Sequence, residues 1–465
     1  WMDQGGTFTD VVRVSDSGQV RIEKVLSQTA CLEDLARGAE DIRRGTTTAT
    51  NALLEATTPP VLLITNAGFA DLPWLGDGRR PELFALHVDR PKPLCTAVLG
   101  VGGRIGANGH IVAPLEVDED ALKRHCRSGI SAVAVVLIHG PLHPASEERV
   151  GAMCAAAGFQ TISLGHQVAP SRGFLARMQT TLADAALSPL LPRAPGLYMR
   201  SDGGLSRAQE WTGSQAILSG PAGGVVGTAA ISEAAGIQMA FGLDMGGTST
   251  DVCRVAGGVA RRDHIDIAGM RLRVPSLRLE TVAAGGGSIL SMPDGVMAVG
   301  PRSSGALPGP AAYGRGGPAT LTDAEVVLGR LPAFPEVCGP SRDQPLNTAA
   351  AAEAIHGLNT GLPLEAAAHG FKAVAAETAA RAVRSMAASL GVDAAQHALV
   401  AFGGAGPGHA CAIAEALSIK TVIVPRLAGV FSAVGIGRSS RRAERVAVVH
   451  TSIIAALKHA QQCLP

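Results

Sequence analysis

The chain has 465 residues, enough for two or three domains with sizeable cores, and with 17% charged and 3% aromatic residues those cores must be aliphatic. Its 40 basic and 39 acidic residues leave no charge asymmetry, which argues against nucleic acid or an anionic membrane as a partner, and no transmembrane segment or signal peptide is visible. Eight cysteines at 31, 95, 126, 154, 253, 338, 411 and 463 form no Cys-x-x-Cys pair or regular framework and read as reduced cytosolic thiols, Cys253 as a packed small residue.

The first element is an eight-residue pattern, Asp-x-Gly-Gly-Thr-x-Thr-Asp, at residues 3–10, and a second copy stands 241 residues later at 244–251. The match runs on through Val11/Val252, Arg13/Arg254 and Val14/Val255, giving nine identities in twelve positions. A glycine turn follows each copy, at 15–18 and at 256–258, so each reads as strand, tight turn, strand. Paired glycines let backbone approach an anion, the hydroxyls of Thr7, Thr9, Thr248 and Thr250 can donate to phosphate oxygens, and the aspartates can hold a cation directly or through water. A P-loop would need Lys-Ser/Thr after its glycines and would open a helix; acidic and β-branched residues follow here and favour a hairpin. Two such hairpins facing each other clamp a nucleotide triphosphate, the arrangement of the actin-like ATPase and sugar-kinase superfold, an α/β class that includes the heat-shock ATPases.

Between the copies, residues 45–55 predict a turn over the threonines and Asn51, with a helix starting at 52–55. Residues 61–65 and 131–139 predict buried strands, 147–157 a helix ending at Gly158, and 172–191 a long helix. His139 and His143 have helical spacing, but Pro141 and Pro144 break any helix there, which argues against a metal pair. The proline-rich stretch at 187–196 marks a boundary. The expected division is a lobe at 1–190 with the first hairpin, a lobe at 191–440 with the second hairpin and an adenosine loop, and a divergent tail at 441–465.

Three glycine clusters follow the second hairpin, at 282–288, 305–324 and 401–410, and their density of Gly and Pro reads as loops gathered round a ligand. The last lies between a strand at 397–402 and a helix at 409–417, where helix-N-terminal amides meet a ligand; Gly403, Gly404 and Gly406 are the candidate lining of an adenosine pocket. Gly285, Gly286 and Gly287 are candidate phosphate contacts, with a simple turn as the alternative. His409 reads as a cap of its helix, and Arg315 either binds a substrate carboxylate or braces its own loop.

Taken in order, the motifs at 1–12, 45–55, 200–205, 217–227, 243–252, 280–289, 305–324, 339–347 and 401–414 resemble the hydantoinase A/5-oxoprolinase family, more closely its ATP-dependent 5-oxoprolinases. The resemblance implies ATP-driven opening of a lactam: the ring carbonyl oxygen is phosphorylated, water attacks, and 5-oxo-L-proline yields glutamate, ADP and phosphate. It implies Gly5, Gly6, Thr7 and Thr9 in one phosphate clamp and Gly246, Gly247, Thr248 and Ser249 in the other. Asp3, Asp10, Asp244 and Asp251 become candidate catalytic carboxylates, Asp3 and Asp244 candidate Mg²⁺ ligands, and one of the four a general base.

Against the family pattern, Gln4 stands where a basic residue is usual, the first strand is short, the stretch between 27 and 45 is abbreviated, and the residues after 439 do not resemble the further domain found there. A hydantoinase B-type half is absent, which implies such a subunit as partner and a truncated A component. The alternatives are a hydantoinase or acetone-carboxylase-like subunit acting on another substrate, or a non-catalytic ATP-binding protein; an oligomer is left open.

Overall fold

The computed structural model describes every residue except 7, 28–30, 79, 81, 88–91, 332–340, 342 and 443–465; Thr7, part of the 339–347 motif and nearly all of the expected tail therefore lie outside the described residues. The chain divides into two compact units, neither of them contiguous. The first comprises Trp1–Gly45, Gly220–Ala260 and Leu277–Ser439, the second Thr46–Ser219, Arg261–Ser276 and the stretch from Ser440. The expected boundary near 190, with one hairpin on each side, is thus not where the units part: both hairpins belong to the first unit. The reason is packing, since Val12 of the first hairpin shares a buried cluster with Val430 and Ala433 from the far end of the chain.

In the first unit, strand Met2–Gln4 pairs antiparallel with Phe8–Val14, which pairs in turn with Val20–Leu26. A five-stranded sheet takes the order Leu279–Val282, Thr250–Ala256, Met239–Met245, Ala398–Phe402, Thr421–Ile423. Its first three strands are antiparallel, and Ala398–Phe402 lies parallel to both neighbours, the helix Gly406–Ala416 leading from it to Thr421–Ile423. A strand buried on both faces needs a continuous apolar run, and Ala398–Phe402 is buried throughout. The 26-residue helix Leu364–Ser389 lays Ala376, Ala379, Ala380 and Val383 against Phe241, Leu243 and Leu399; alanines allow a close approach to the sheet.

The second unit holds a parallel four-stranded sheet in the order Thr161–Leu164, Ala132–Val136, Val61–Asn66, Ala97–Val101. Period two sends Leu62, Ile64, Val133 and Val135 to one face, against Val150 and Cys154 of the helix Ala145–Ala157. Val61, Leu63, Ala132 and Ala134 go to the other, against Met178 and Leu182 of the helix Phe174–Leu187. Gly158 ends its helix in the left-handed conformation (φ 102°), as the sequence predicts. The threonines at 48 and 50 lie inside a helix, Thr48–Leu54, and not in a turn before it: Ala49, Ala52 and Leu53 bury one face, and that burial outweighs threonine's weak helix propensity. The long helix closes at Leu187, with Ser188–Leu190 a 3₁₀ turn round Pro189. No helix among the described residues is long and apolar enough to cross a membrane, and the six described cysteines are free thiols. Cys253 is packed inside, where burial pushes its thiol up to about 12.

Candidate active site

The two hairpins are built alike, atom for atom, at their turns. Gly5 N donates to Phe8 O at 2.9 Å, and Gly246 N donates to Ser249 O at 3.0 Å. That turn fixes the register, so Asp3 stands opposite Asp10, and Asp244 opposite Asp251. Directly opposed like charges destabilise a sheet, yet each hairpin carries such a pair.

The four carboxylates feel one another. Asp3 is pushed up to about 7, first by burial and then by the negative charges of Asp10, Asp244 and Asp251. Asp244 also rises to about 7, through burial and the charge of Asp251. Burial lifts Asp251 to about 6 against the bond from Thr281 Oγ1 at 2.5 Å. Asp10 is raised by burial but is paired with Lys24, its cross-strand neighbour, whose ammonium also reaches Gly429 O at 3.4 Å. Ser432 Oγ donates to Asp244 Oδ2 at 3.0 Å, whereas Asp3 Oδ1 is buried without any hydrogen-bond partner among the described residues. A buried carboxylate oxygen left unsatisfied is costly unless a cation meets it. No three acidic, histidine or cysteine side chains among the described residues cage a point by themselves.

The turn residues separate into two groups. Gly6, Gly247 and Thr248 are exposed, and no protein group among the described residues accepts from the backbone N–H of Gly247 or Thr248; Gly246 and Ser249 are half-buried. Thr9 and Thr250 are fully buried, with Thr9 Oγ1 3.1 Å from Ser27 Oγ and Thr250 Oγ1 donating to Ala284 O at 2.5 Å. Their hydroxyls are therefore turned away from any phosphate, contrary to expectation, because one step along a strand reverses the face.

The Gly285 loop differs from expectation in the same way. Gly285 N donates to Ser288 Oγ at 2.9 Å, Gly286 N to Gly246 O at 2.9 Å and Gly287 N to Gly247 O at 2.6 Å, so all three amides are engaged, the first within its own loop and the other two in bracing the second turn. A Cβ on Gly285 would lie 2.7 Å from Gly247 C, a separation only glycine permits. The third loop is tied to the same hairpin: Ala405 N donates to Met245 O at 2.9 Å, and a Cβ on Gly403 (φ 84°) would collide with Asp244 Oδ1. Gly404 faces open space, whereas Gly406 is buried at the start of its helix, where a Cβ would make ordinary contacts at 3.6 Å to Leu243 and Met245.

His409 is not a cap. It lies inside its helix, 1% exposed, 3.2 Å from Glu325 Oε1, and Glu325 is paired with Lys372. Arg315 donates to Ala306 O at 3.0 Å and stacks over Tyr313, bracing its own loop. Lys24 and Ser432 were missed. The first was legible: Val14 opposite Val20 across the 15–18 turn puts Lys24 opposite Asp10. Ser432, 188 residues from Asp244, carries no local signal.

A hydantoinase/oxoprolinase family model matches residues 175–445, and a model of the N-terminal region of the same family matches 1–158. A 5-oxoprolinase of Arabidopsis thaliana is 36% identical over 94% of this chain and 41% of its own length. The caprolactamase alpha subunit of Pseudomonas jessenii is 32% identical over 93% of this chain and 69% of its own. The solved ATP-dependent caprolactamase of that organism superposes with a TM-score of 0.78 at 29% identity, covering 99% of this chain and 74% of that one, so the chain has the actin-like ATPase type of fold. The chain spans about two fifths of the length of the 5-oxoprolinases it matches.

Proposed function

Because the chain belongs to the hydantoinase/oxoprolinase family, we propose that it is the nucleotide-binding component of a cytoplasmic, ATP-dependent enzyme that opens a cyclic amide, with 5-oxo-L-proline as substrate. The observation that carries the reading is the duplicated pair of opposed aspartates, with a buried, partnerless Asp3 Oδ1 among four carboxylates whose mutual repulsion calls for positive charge. Asp3 and Asp244 would hold Mg²⁺, with Asp10 and Asp251 opposite them in the two hairpins. This suits Mg²⁺, which keeps several waters and takes one or two carboxylates beside substrate phosphates, and it suits a site where no three side chains form a cage. Bound there, the ion neutralises charge on the triphosphate.

The free amides of Gly247 and Thr248, with Gly246 and Ser249 beside them, take phosphate oxygens on one side; Gly5 and Gly6, with Thr7, take them on the other. Gly404 and Gly406 line the adenosine, while Gly403, Thr9, Gly285, Gly286 and Gly287 act as struts. The lactam carbonyl oxygen accepts the γ-phosphoryl group, water adds to the activated carbon, the C–N bond breaks and phosphate departs, two waters being consumed overall. One of the two aspartates that do not hold the ion directly, Asp10 or Asp251, takes the proton of the attacking water. With a hydantoinase B-type partner present, ATP turnover should depend on both Mg²⁺ and 5-oxo-L-proline. Turnover stimulated equally by an unrelated amide would remove the substrate assignment, and no turnover or ATP binding with Mg²⁺ present would remove the nucleotide reading.

A further inference from the structure

The second unit contains a cavity of about 320 Å³ whose lining includes Leu142, Phe174, His139, Ser171, Arg172 and Arg177. Arg177 is 2% exposed, and of its five N–H donors only two bonds are accounted for, Nη1 to Ser171 O at 3.1 Å and Nη2 to Leu137 O at 2.5 Å. Its Nε is buried without a partner among the described residues. Glu147, the nearest acid to act on it, is itself fully buried and accepts from Leu137 N, His166 N and His166 Nδ1 instead. Ser171 Oγ is a second buried polar atom with no partner, and Arg172 forms no ion pair among the described residues. No acidic residue lines the cavity.

A buried guanidinium with spare donors, a second guanidinium in the same lining and an orphaned hydroxyl match a carboxylate, which accepts paired N–H bonds in the plane of an arginine fork. Phe174, whose ring lies 5.3 Å from the Arg177 guanidinium, and Leu142 give apolar lining, and the volume stands at the lower end of the roughly 300–1,000 Å³ typical of small-molecule pockets, which limits the body to one small ring or a short chain. We propose that this cavity binds a small organic carboxylate with a compact apolar body, Arg172, Ser171 and the spare donors of Arg177 taking the carboxylate and Leu142 and Phe174 taking the body. The site is independent of the nucleotide reading.

Isothermal titration of the full chain with cyclopentanecarboxylate tests it, with cyclopentanemethanol and inorganic phosphate as controls. The carboxylate should bind one to one, and the uncharged alcohol about tenfold more weakly or less, as loss of a charge-assisted bond requires. Arg172→Gln and Ser171→Ala, at an exposed side chain and a hydroxyl that bonds nothing, should each weaken the carboxylate roughly three- to tenfold with unchanged Tm. Asp244→Asn should bind the carboxylate as wild type does, which keeps this outcome separate from any failure of the nucleotide site. Equal binding of acid and alcohol, binding of phosphate without the carboxylate, or affinity untouched by both variants would overturn the proposal.

Discussion

At the second turn, Gly246 has room for a side chain, since the nearest atom to a Cβ there is Ser249 O at 3.7 Å. Gly246→Val should therefore keep its Tm while ATP affinity falls at least about tenfold, because the added methyls stand where a phosphate must approach the amides. Calorimetry beside thermal denaturation reads both; unchanged affinity would show that the turn is not a clamp. Gly403→Ala should lose Tm and affinity together, since its Cβ meets Asp244 Oδ1 and its backbone lies at φ 84°. Asp244→Asn should abolish ATP turnover and yet raise the Tm of the ligand-free protein, because it removes one of four repelling charges and keeps an oxygen for Ser432 Oγ. A lowered Tm would mean that the carboxylate serves the fold. At this scale the pattern alone singled out the aspartates and glycines that the structure gathers at the two turns. Thr9 was misread because its residue type suits phosphate while its strand face points it at Ser27.

Among the elements, three helices of the first unit meet at one buried group: Lys372 of Leu364–Ser389, Glu325 of Leu321–Val327 and His409 of Gly406–Ala416. Lys372→Met should cost about 3–5 kcal/mol in urea unfolding, since it leaves a buried carboxylate unpaired; a loss under about 1 kcal/mol would show that the pair is not structural. Burial, then the charges of Lys372 and Arg330, lower His409 to about 3. An imidazole depressed from 6.5 binds its proton more readily in the unfolded chain, so stability is full above 6.5 and is lost as pH falls toward 3. His409→Gln should flatten that slope by up to about 1.4 kcal/mol per pH unit, read from urea midpoints between pH 6.5 and 4.5. Of these helices the sequence located only the one at 409–417, and it did not show the group at their junction, because a buried polar cluster is defined by partners on other elements.

The chain as a whole spans about two fifths of the length of the 5-oxoprolinases it matches. Alone it should show weak or uncoupled ATPase activity with little glutamate formed, and a hydantoinase B-type partner should couple the two, since an activated lactam has to meet a positioned nucleophile in a closed site. Glutamate and ADP measured together check this, and equimolar glutamate from the chain alone would show that no partner is needed. The sequence by itself determined the two hairpins, the opposition of Asp3 with Asp10 and Asp244 with Asp251, and the apolar strands of the second unit, because a tight turn and a period of two are local properties that a dozen residues suffice to write. Only the tertiary structure decided that both hairpins share one unit, that the Gly285 loop spends its amides on the second turn, and that Ser432 and Gly403 close on Asp244. Those contacts join residues up to hundreds of positions apart, and they are set by which apolar faces pack together.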